Sequence, residues 1–511
     1  MALKKANLYG VIYMSTAKLE LLIADLKTHE IIERASSPSF VQVADRSHIY
    51  HAEMEKIVSS VNGFQQILAD YGIKECGFWA SQQLIDDITA RYLTEQIENR
   101  TGLTVTWLSS SQLNYFRAVS LMAHTKESES LGAQVTYLLY IGSASATLLK
   151  FQQGTFLRSW NIRLGYLEID RLAFALRNAA NDPYEIIDDY IGSKLDYLGN
   201  ELRENQRADG HATLVLQGFQ GLNNYFLKDK ERTAQVAMAD YLALCEKLPS
   251  APIATIQKRL RVESSTARHV LPGALITRRI MDFIHANQLW CTRLNVWDGL
   301  ALQVARDRGL LRHDIESITL TSAVNIAQHY LSDDGHRVMT LRLALHLFDQ
   351  LRKLHHLSAR DRLLLAVAVN VSDIGNYISQ YEHYHHSYYI LKANPIIGLS
   401  DKENSIIAEL ARYHSAEAPD VEQYHYSSLE PDIQMRVAKL VAILRLADAL
   451  DDSHQQKITR LAVSLREHEV VLTAYSSQDL ALEEWAFAKK SQLFYEVYGL
   501  KAVLKQRRSE A

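Results

Sequence analysis

The chain has 511 residues, 47% of them hydrophobic and 22% charged, with a formal net charge of −4. That length is too great for one hydrophobic core and predicts roughly two to four domains, while the charge predicts no general attraction to nucleic acid or an anionic membrane. The three cysteines, Cys76, Cys245 and Cys291, stand far apart without CxxC spacing, which argues against a disulfide framework or a thiolate zinc site and fits a reducing cytoplasm. The first residues, MALKKANLYG, contain no long apolar run, and no window reaches the ~18 uninterrupted apolar residues of a spanning helix. The expectation is a cytoplasmic protein without a membrane segment.

In chain order, Leu8 to Met14 and Leu19 to Leu26 read as two strands joined by the turn Ser15-Thr16-Ala17-Lys18. Glu53 to Tyr71 reads as a helix, with Ile57, Val61, Phe64 and Leu68 at three- and four-residue spacing. A strand near Cys76 to Ala80, a helix from Asp86 to Arg100 and a strand at Leu103 to Leu108 follow. Asp86 and Asp87 read as first-turn charges of that helix. The polar stretch His124 to Gly132 then separates this half from a second one that opens in the same way. There, an apolar run ends in Tyr140-Ile141-Gly142-Ser143-Ala144-Ser145-Ala146-Thr147 and a second run, Leu148 to Phe151, follows. A turn of small residues can present backbone N–H groups to a phosphate, and it is also an ordinary way to end a hairpin. Phe156 to Ile162 reads as a strand, Glu168 to Arg177 as a helix and Thr213 to Gln217 as a strand. Leu271-Pro272-Gly273-Ala274 reads as the opening of a helix that runs to about Asn287. Strands alternating with helices in two similar halves predict a duplicated α/β structure with a cleft between the two hairpin turns.

From about Arg308 strand signals nearly vanish. Helical stripes appear at Leu341, Ala344, Phe348 and Leu351, at Ile407, Leu410, Ala411 and His414, and at Val437, Val441, Leu444 and Asp448. An all-α domain of about 200 residues is predicted there, with histidine-rich patches at His355-His356, His383 and His385-His386 and a solvated tail, KQRRSEA.

Several segments resemble the exopolyphosphatase / guanosine pentaphosphate phosphohydrolase (Ppx/GppA) family. They are ENRTGLTVTWLS from Glu98, YIGSASAT from Tyr140, LPGALI from Leu271 and DGLALQ from Asp298. Further on come GHRVMTLRLALHLFDQL from Gly335, VSDIGNYIS from Val371, HHSYYIL from His385, ELARYH from Glu409 and LRLADALDDSHQQKI from Leu444. The resemblance implies an α/β plus all-α chain: two actin-like (ribonuclease-H-like) domains at 1–128 and 129–307, then a helical HD-type domain at 308–511. It also implies phosphoanhydride hydrolysis with a divalent metal, usually Mg2+, held by acids in the two facing loops, with a glutamate activating water.

The loops of this chain depart from that pattern. Where the family reads approximately DIGSNSxR, this chain has Tyr13-Met14-Ser15-Thr16-Ala17-Lys18-Leu19-Glu20; where it reads DIGGGSTE, this chain has Tyr140 to Thr147. Both leading acids are tyrosines, and Glu20 stands in place of an arginine. Glu168, just after Leu164-Gly165, resembles a second such reversal, and both would repel a polyanion. The ATSALR-like segment is Ala80-Ser81-Gln82-Gln83-Leu84-Ile85, and the general base of the family falls on Gln112 or Leu113. A glutamine amide does not accept a proton at neutral pH, and losing general-base help costs roughly 10²–10⁴ in rate. Ser15, Thr16, Lys18, Gly142, Ser143 and Ser145 remain as phosphate-binding remnants. In the HD-type domain, His336, Asp373 and Asp448 take metal-ligand positions, but Ser372 stands where the doublet histidine belongs; His385, His386 and His414 are nearby imidazoles.

The expectation is a protein of polyphosphate or alarmone metabolism that binds or regulates, with little or no catalysis and no required cofactor. The alternative is an active exopolyphosphatase, using Mg2+ and carboxylates displaced to Asp25, Asp86, Asp87 or Glu168. A homodimer is the expected assembly, and an active paralogue or a polyphosphate-metabolising enzyme the expected partner. Weak binding of polyphosphate or guanosine polyphosphate, and none of membrane or nucleic acid, complete the expectation.

Overall fold

The computed structural model describes residues 7–15, 18–38, 51–82, 85–125, 135–176, 183–199, 212–228, 231–311 and 317–508. The chain divides into two compact units, Met1–Ile315 and Glu316–Ala511. Thr16, Gln83, Leu84 and most of the polar stretch at 124–132 lie outside the described residues; His124 itself lies in the last turn of the helix Ser110–Thr125.

The first unit holds two sheets built on one plan. Strands β1 (Leu8–Met14), β2 (Lys18–Asp25), β3 (Ile31–Pro38), β4 (Cys76–Ser81) and β5 (Val105–Leu108) lie in the order β3-β2-β1-β4-β5. β1 is antiparallel to β2 and parallel to β4, which is parallel to β5. The second sheet contains β6 (Val135–Ile141), β7 (Ala146–Gln152), β8 (Thr155–Ile162), β9 (Ala212–Gln217), β10 (Thr233–Val236) and β11 (Ala286–Thr292), in the order β10-β11-β9-β6-β7-β8. With β10 set aside as an antiparallel edge, the order and strand directions repeat those of the first sheet. The two lobes therefore repeat one strand plan, as the two similar halves of the sequence predict. Parallel strands need crossover helices on their faces, which is why β1, β6 and β9 are apolar and buried throughout or nearly so.

Each lobe has its own core. In the first, Ile12, Leu21 and Ile23 from the sheet meet Ile57, Val61, Phe64 and Leu68 of the helix His51–Asp70. In the second, Leu139, Leu148 and Leu214 meet Ile187, Val270 and Ile276. Asp86 is the N-cap of the helix Asp87–Thr101, accepting from the Ile88 and Thr89 amides.

Two expectations fail here. The helix through Leu271-Pro272-Gly273 does not begin there but runs Ser264–Phe283 with Pro272 inside it. Buried Ala267, Val270 and Ala274 place both sides of the proline against the same core, so tertiary packing overrides its local breaking tendency. Gly273 is required by close approach: a Cβ there would lie 2.2 Å from the Phe219 ring.

The second unit is also not all-α. Its helices, chiefly Ser317–His329, Asp334–Gln350, Ala359–Val371, His383–Ala393, Asp401–Tyr413 and Pro431–Ala449, pack around one core containing Leu347, Leu364, Leu410 and Leu444. A three-stranded sheet completes the unit: β12 (Arg460–Leu465), antiparallel to β13 (Glu469–Tyr475), which is parallel to β14 (Lys501–Arg507). Lys505 to Arg507 of the expected solvated tail therefore belong to a strand. Its alternating charges hide it, because an edge strand shows water one face and one row of hydrogen-bonding groups.

Candidate functional site

The two hairpin turns of the first unit face a common cleft. Tyr13 and Glu20 pair across β1 and β2, and Tyr140 and Thr147 pair across β6 and β7. One cavity of about 150 Å³ is lined by Tyr13, Lys18, Glu20, Arg117, Tyr140 and Trp297, among others. A second, about 190 Å³, shares Tyr13, Lys18, Glu20 and Trp297 and adds Arg34.

Tyr13 is 5% exposed, and its ring centroid lies 6.2 Å from that of Trp297. Burial, and then the neighbouring Tyr140, push its phenol well above the ordinary tyrosine value, so it stays neutral. Burial likewise raises Tyr166 to about 12. The Arg117 guanidinium lies 3.7 Å from the Tyr140 ring centroid and donates to Asn114 Oδ1 at 2.8 Å. Asn114 donates in turn to Asn161 Oδ1 at 3.2 Å, on β8, so a polar chain crosses from one lobe to the other. Burial raises Glu20 to about 7, against the opposing pull of Lys18 and Arg34. At neutral pH its repulsion of an anion is therefore only partial.

The turns hold themselves together. Ser15 N and Ser15 Oγ donate to Lys18 O at 2.8 and 3.0 Å, and Lys18 N donates to Ser15 Oγ at 3.1 Å. Gly142 N donates to Ser145 O at 2.8 Å, while Gly142 O and Ser143 O accept from the Tyr166 and Leu167 amides, both at 3.1 Å. The Gly142 amide thus closes its own turn, and Ser15, Lys18 and Ser143 are the remnant positions that line the cavity.

The displaced carboxylates are engaged elsewhere. Asp25 accepts from the Lys27 and Thr28 amides at 2.8 and 3.2 Å, Asp86 caps its helix, Asp87 accepts from Gln82 at 3.1 Å and Glu168 accepts from the Tyr190 hydroxyl. Gln112 Oε1 accepts from Ser109 N at 3.1 Å, which makes it a helix-start group, and Leu113 is buried. Asp298 accepts from Arg232 and from the Asn295 amide. Among the described residues lining the two cavities, Glu20 is the only carboxylate. Magnesium takes near-octahedral oxygen ligands at about 2.0–2.1 Å, with one or two carboxylates among them. One half-neutral glutamate facing a neutral phenol and an arginine-capped ring does not fit that ion.

In the second unit, His336, Asp373 and Asp448 do converge. His336 Nδ1 lies 3.0 Å from Asp451, and its Nε2 lies 3.2 Å from Asp448 and 3.8 Å from Asp373. Burial opposes its charge, but the bonds to Asp448 and Asp451 prevail and raise His336 to about 11. Lys490 is bonded to Asp448 and lies 3.2 Å from Asp452. An ammonium group therefore sits beside the carboxylate, a partner with no signal in the spacing. Ser372 turns away, its hydroxyl donating to Ala368 O at 2.7 Å. His385 pairs with Glu417 at 2.7 Å, whereas His414 and His383 reach Asp373. The cleft residues that sequence reasoning missed are Arg117, Arg34 and Trp297; none falls within a recognisable motif, and only the fold gathers them.

No well-characterised protein sequence matches this one. Among solved structures, the Aquifex aeolicus member of the Ppx/GppA family is 13% identical with a TM-score of 0.48, covering 60% of this chain and 99% of that one. An exopolyphosphatase from Cytophaga hutchinsonii is 14% identical with a TM-score of 0.49, covering 59% and 98%. Residues 318–491 match the family profile described as Ppx/GppA phosphatase, domain III, so this part of the chain is similar to the third domain of that family.

Proposed function

We propose that this chain is a Ppx/GppA-type protein that acts by binding, with no metal-dependent phosphoanhydride hydrolysis in its cleft. One observation carries the reading: both hairpin positions at which the resemblance calls for metal-holding acids are phenols, Tyr13 buried and Tyr140 covered by Arg117. Phosphoryl transfer relies on positioning and charge neutralisation by the metal, so removing both acids removes the step on which the chemistry depends. Lys18 and Arg34 still supply positive charge, and Tyr13, Tyr140 and Trp297 supply flat apolar faces. The cations suit weak capture of an anion such as polyphosphate, and the flat faces suit the base of a guanosine polyphosphate. The partner such a role calls for is an active enzyme of polyphosphate or alarmone metabolism.

The test is phosphate release from long-chain polyphosphate by the full chain, with magnesium or manganese. Release at the no-protein background is expected. Turnover that is abolished by chelator and by Glu20→Gln, but not by His414→Ala, would place working chemistry in the cleft and refute the reading.

A further inference from the structure

We infer that Asp373, His383 and His414 form a binding site for a divalent transition-metal ion of the zinc type. The inference concerns the second unit alone and is independent of how the cleft is read.

Among the described residues these three form the one group of metal-capable side chains whose ligand atoms all lie within 4.8 Å of one another. His383 Nε2 and His414 Nε2 are 3.1 Å apart, and they lie 3.3 and 3.2 Å from Asp373 Oδ1. Zinc bonds of about 2.0–2.1 Å at the tetrahedral angle place neighbouring ligand atoms about 3.3 Å apart. The three atoms therefore have the spacing of one face of a zinc tetrahedron.

The protons argue the same way. His414 Nδ1 lies 2.7 Å from Ala411 O, and His383 Nδ1 lies 3.4 Å from Gln380 O. A carbonyl only accepts, so each Nδ1 carries a hydrogen and each Nε2 is the atom that faces the other ring and the carboxylate. Without a metal a proton on Nε2 bridges to Asp373, and a metal ion would take that proton's place. A backbone carbonyl on the far nitrogen is also the usual way a ligating histidine is oriented. Among the described residues Asp373 has no lysine or arginine partner; its neighbours are the imidazoles of His336, His383 and His414. Asp448, by contrast, has Lys490.

The backbone is shaped to bring these groups together. Asp373 follows the helix Ala359–Val371, His414 ends the helix Asp401–Tyr413, and His383 opens the helix His383–Ala393. Glu382, just before His383, is held at φ 51°, a costly conformation for a residue with a side chain. Gly375 allows the turn after Asp373 to touch that helix, since a Cβ there would lie 2.0 Å from His383 O. His414 is buried, whereas Asp373 and His383 are 24% and 18% exposed. The open side leaves the fourth position to water or an anionic oxygen, and imidazole with carboxylate suits zinc better than magnesium or calcium.

The experiment titrates the full-length protein, stripped with chelator, with Zn2+ against a chromophoric chelator. Co2+ serves as a second probe because four-coordinate cobalt absorbs strongly in the visible. One tight equivalent of Zn2+ and a four-coordinate Co2+ spectrum are expected. Both should weaken on the order of 100-fold or more in His383→Ala and Asp373→Asn, beyond what loss of an outer-shell partner costs. His468→Ala, which removes an exposed histidine elsewhere, should change nothing. His414→Ala at its buried position is added only if circular dichroism shows it folded, because the other two variants decide the question. Wild-type binding no tighter than that of His383→Ala, or a tight equivalent that survives both His383→Ala and Asp373→Asn, would overturn the site.

Discussion

Glu20 shows how a side chain's behaviour depends on what covers it. Its carboxyl is raised from 4.5 to about 7 by burial beside Tyr13. Between these two values the unfolded chain releases the proton while the folded chain keeps it. Stability must therefore fall as pH rises from about 4.5 to about 7 and level off above that. At 1.36 kcal/mol per unit the loss amounts to at most about 3.4 kcal/mol. Glu20→Gln should remove this slope and stabilise the first unit by about 1–3 kcal/mol at pH 8, as read from denaturation at pH 5, 6, 7 and 8. An unchanged slope in the variant would place the proton elsewhere. The replacement of acids by Tyr13 and Tyr140 was legible in the sequence, because identity alone reveals a lost carboxylate. The half-neutral state of Glu20 was not, because it arises from desolvation by residues distant in the chain.

At the scale of elements, hairpins and helix starts were the most legible features. The strand at Leu8 begins where its apolar run does, the run Leu148 to Phe151 lies inside a strand that starts two residues earlier at Ala146, and Asp86, read as a first-turn charge, is the cap just before its helix. Hidden elements were those whose local signals conflict with their surroundings: the helix through Pro272, and β14 with its alternating charges. The helix Val296–Asp307 illustrates a tight contact that spacing does not reveal. It packs on Ser110–Thr125, and a Cβ at Gly299 would lie 2.1 Å from Phe116 O. A backbone oxygen cannot swing aside, so Gly299→Ala should separate the two helices and cost about 1–3 kcal/mol, or more if the lobes part. A melting temperature equal to that of the wild type would show that the contact relaxes freely.

At the scale of the whole molecule, two compact units with separate cores should unfold in separate steps. Calorimetry of the full chain should resolve two transitions. Gly299→Ala should lower one of them, and Leu364→Ala, a fully buried position, the other by about 2–5 kcal/mol. A single transition shifted alike by both variants would contradict this. The two matching hairpins, the main helices and the missing loop acids were determined by the sequence itself, because periodicity and residue identity are local properties. Only the tertiary structure decided that Arg117 covers Tyr140, that Lys490 sits beside Asp448 and that His383 and His414 meet at Asp373. Those groups lie far apart along the chain, and their proximity is set by how helices and strands bury their apolar faces, which no single segment encodes.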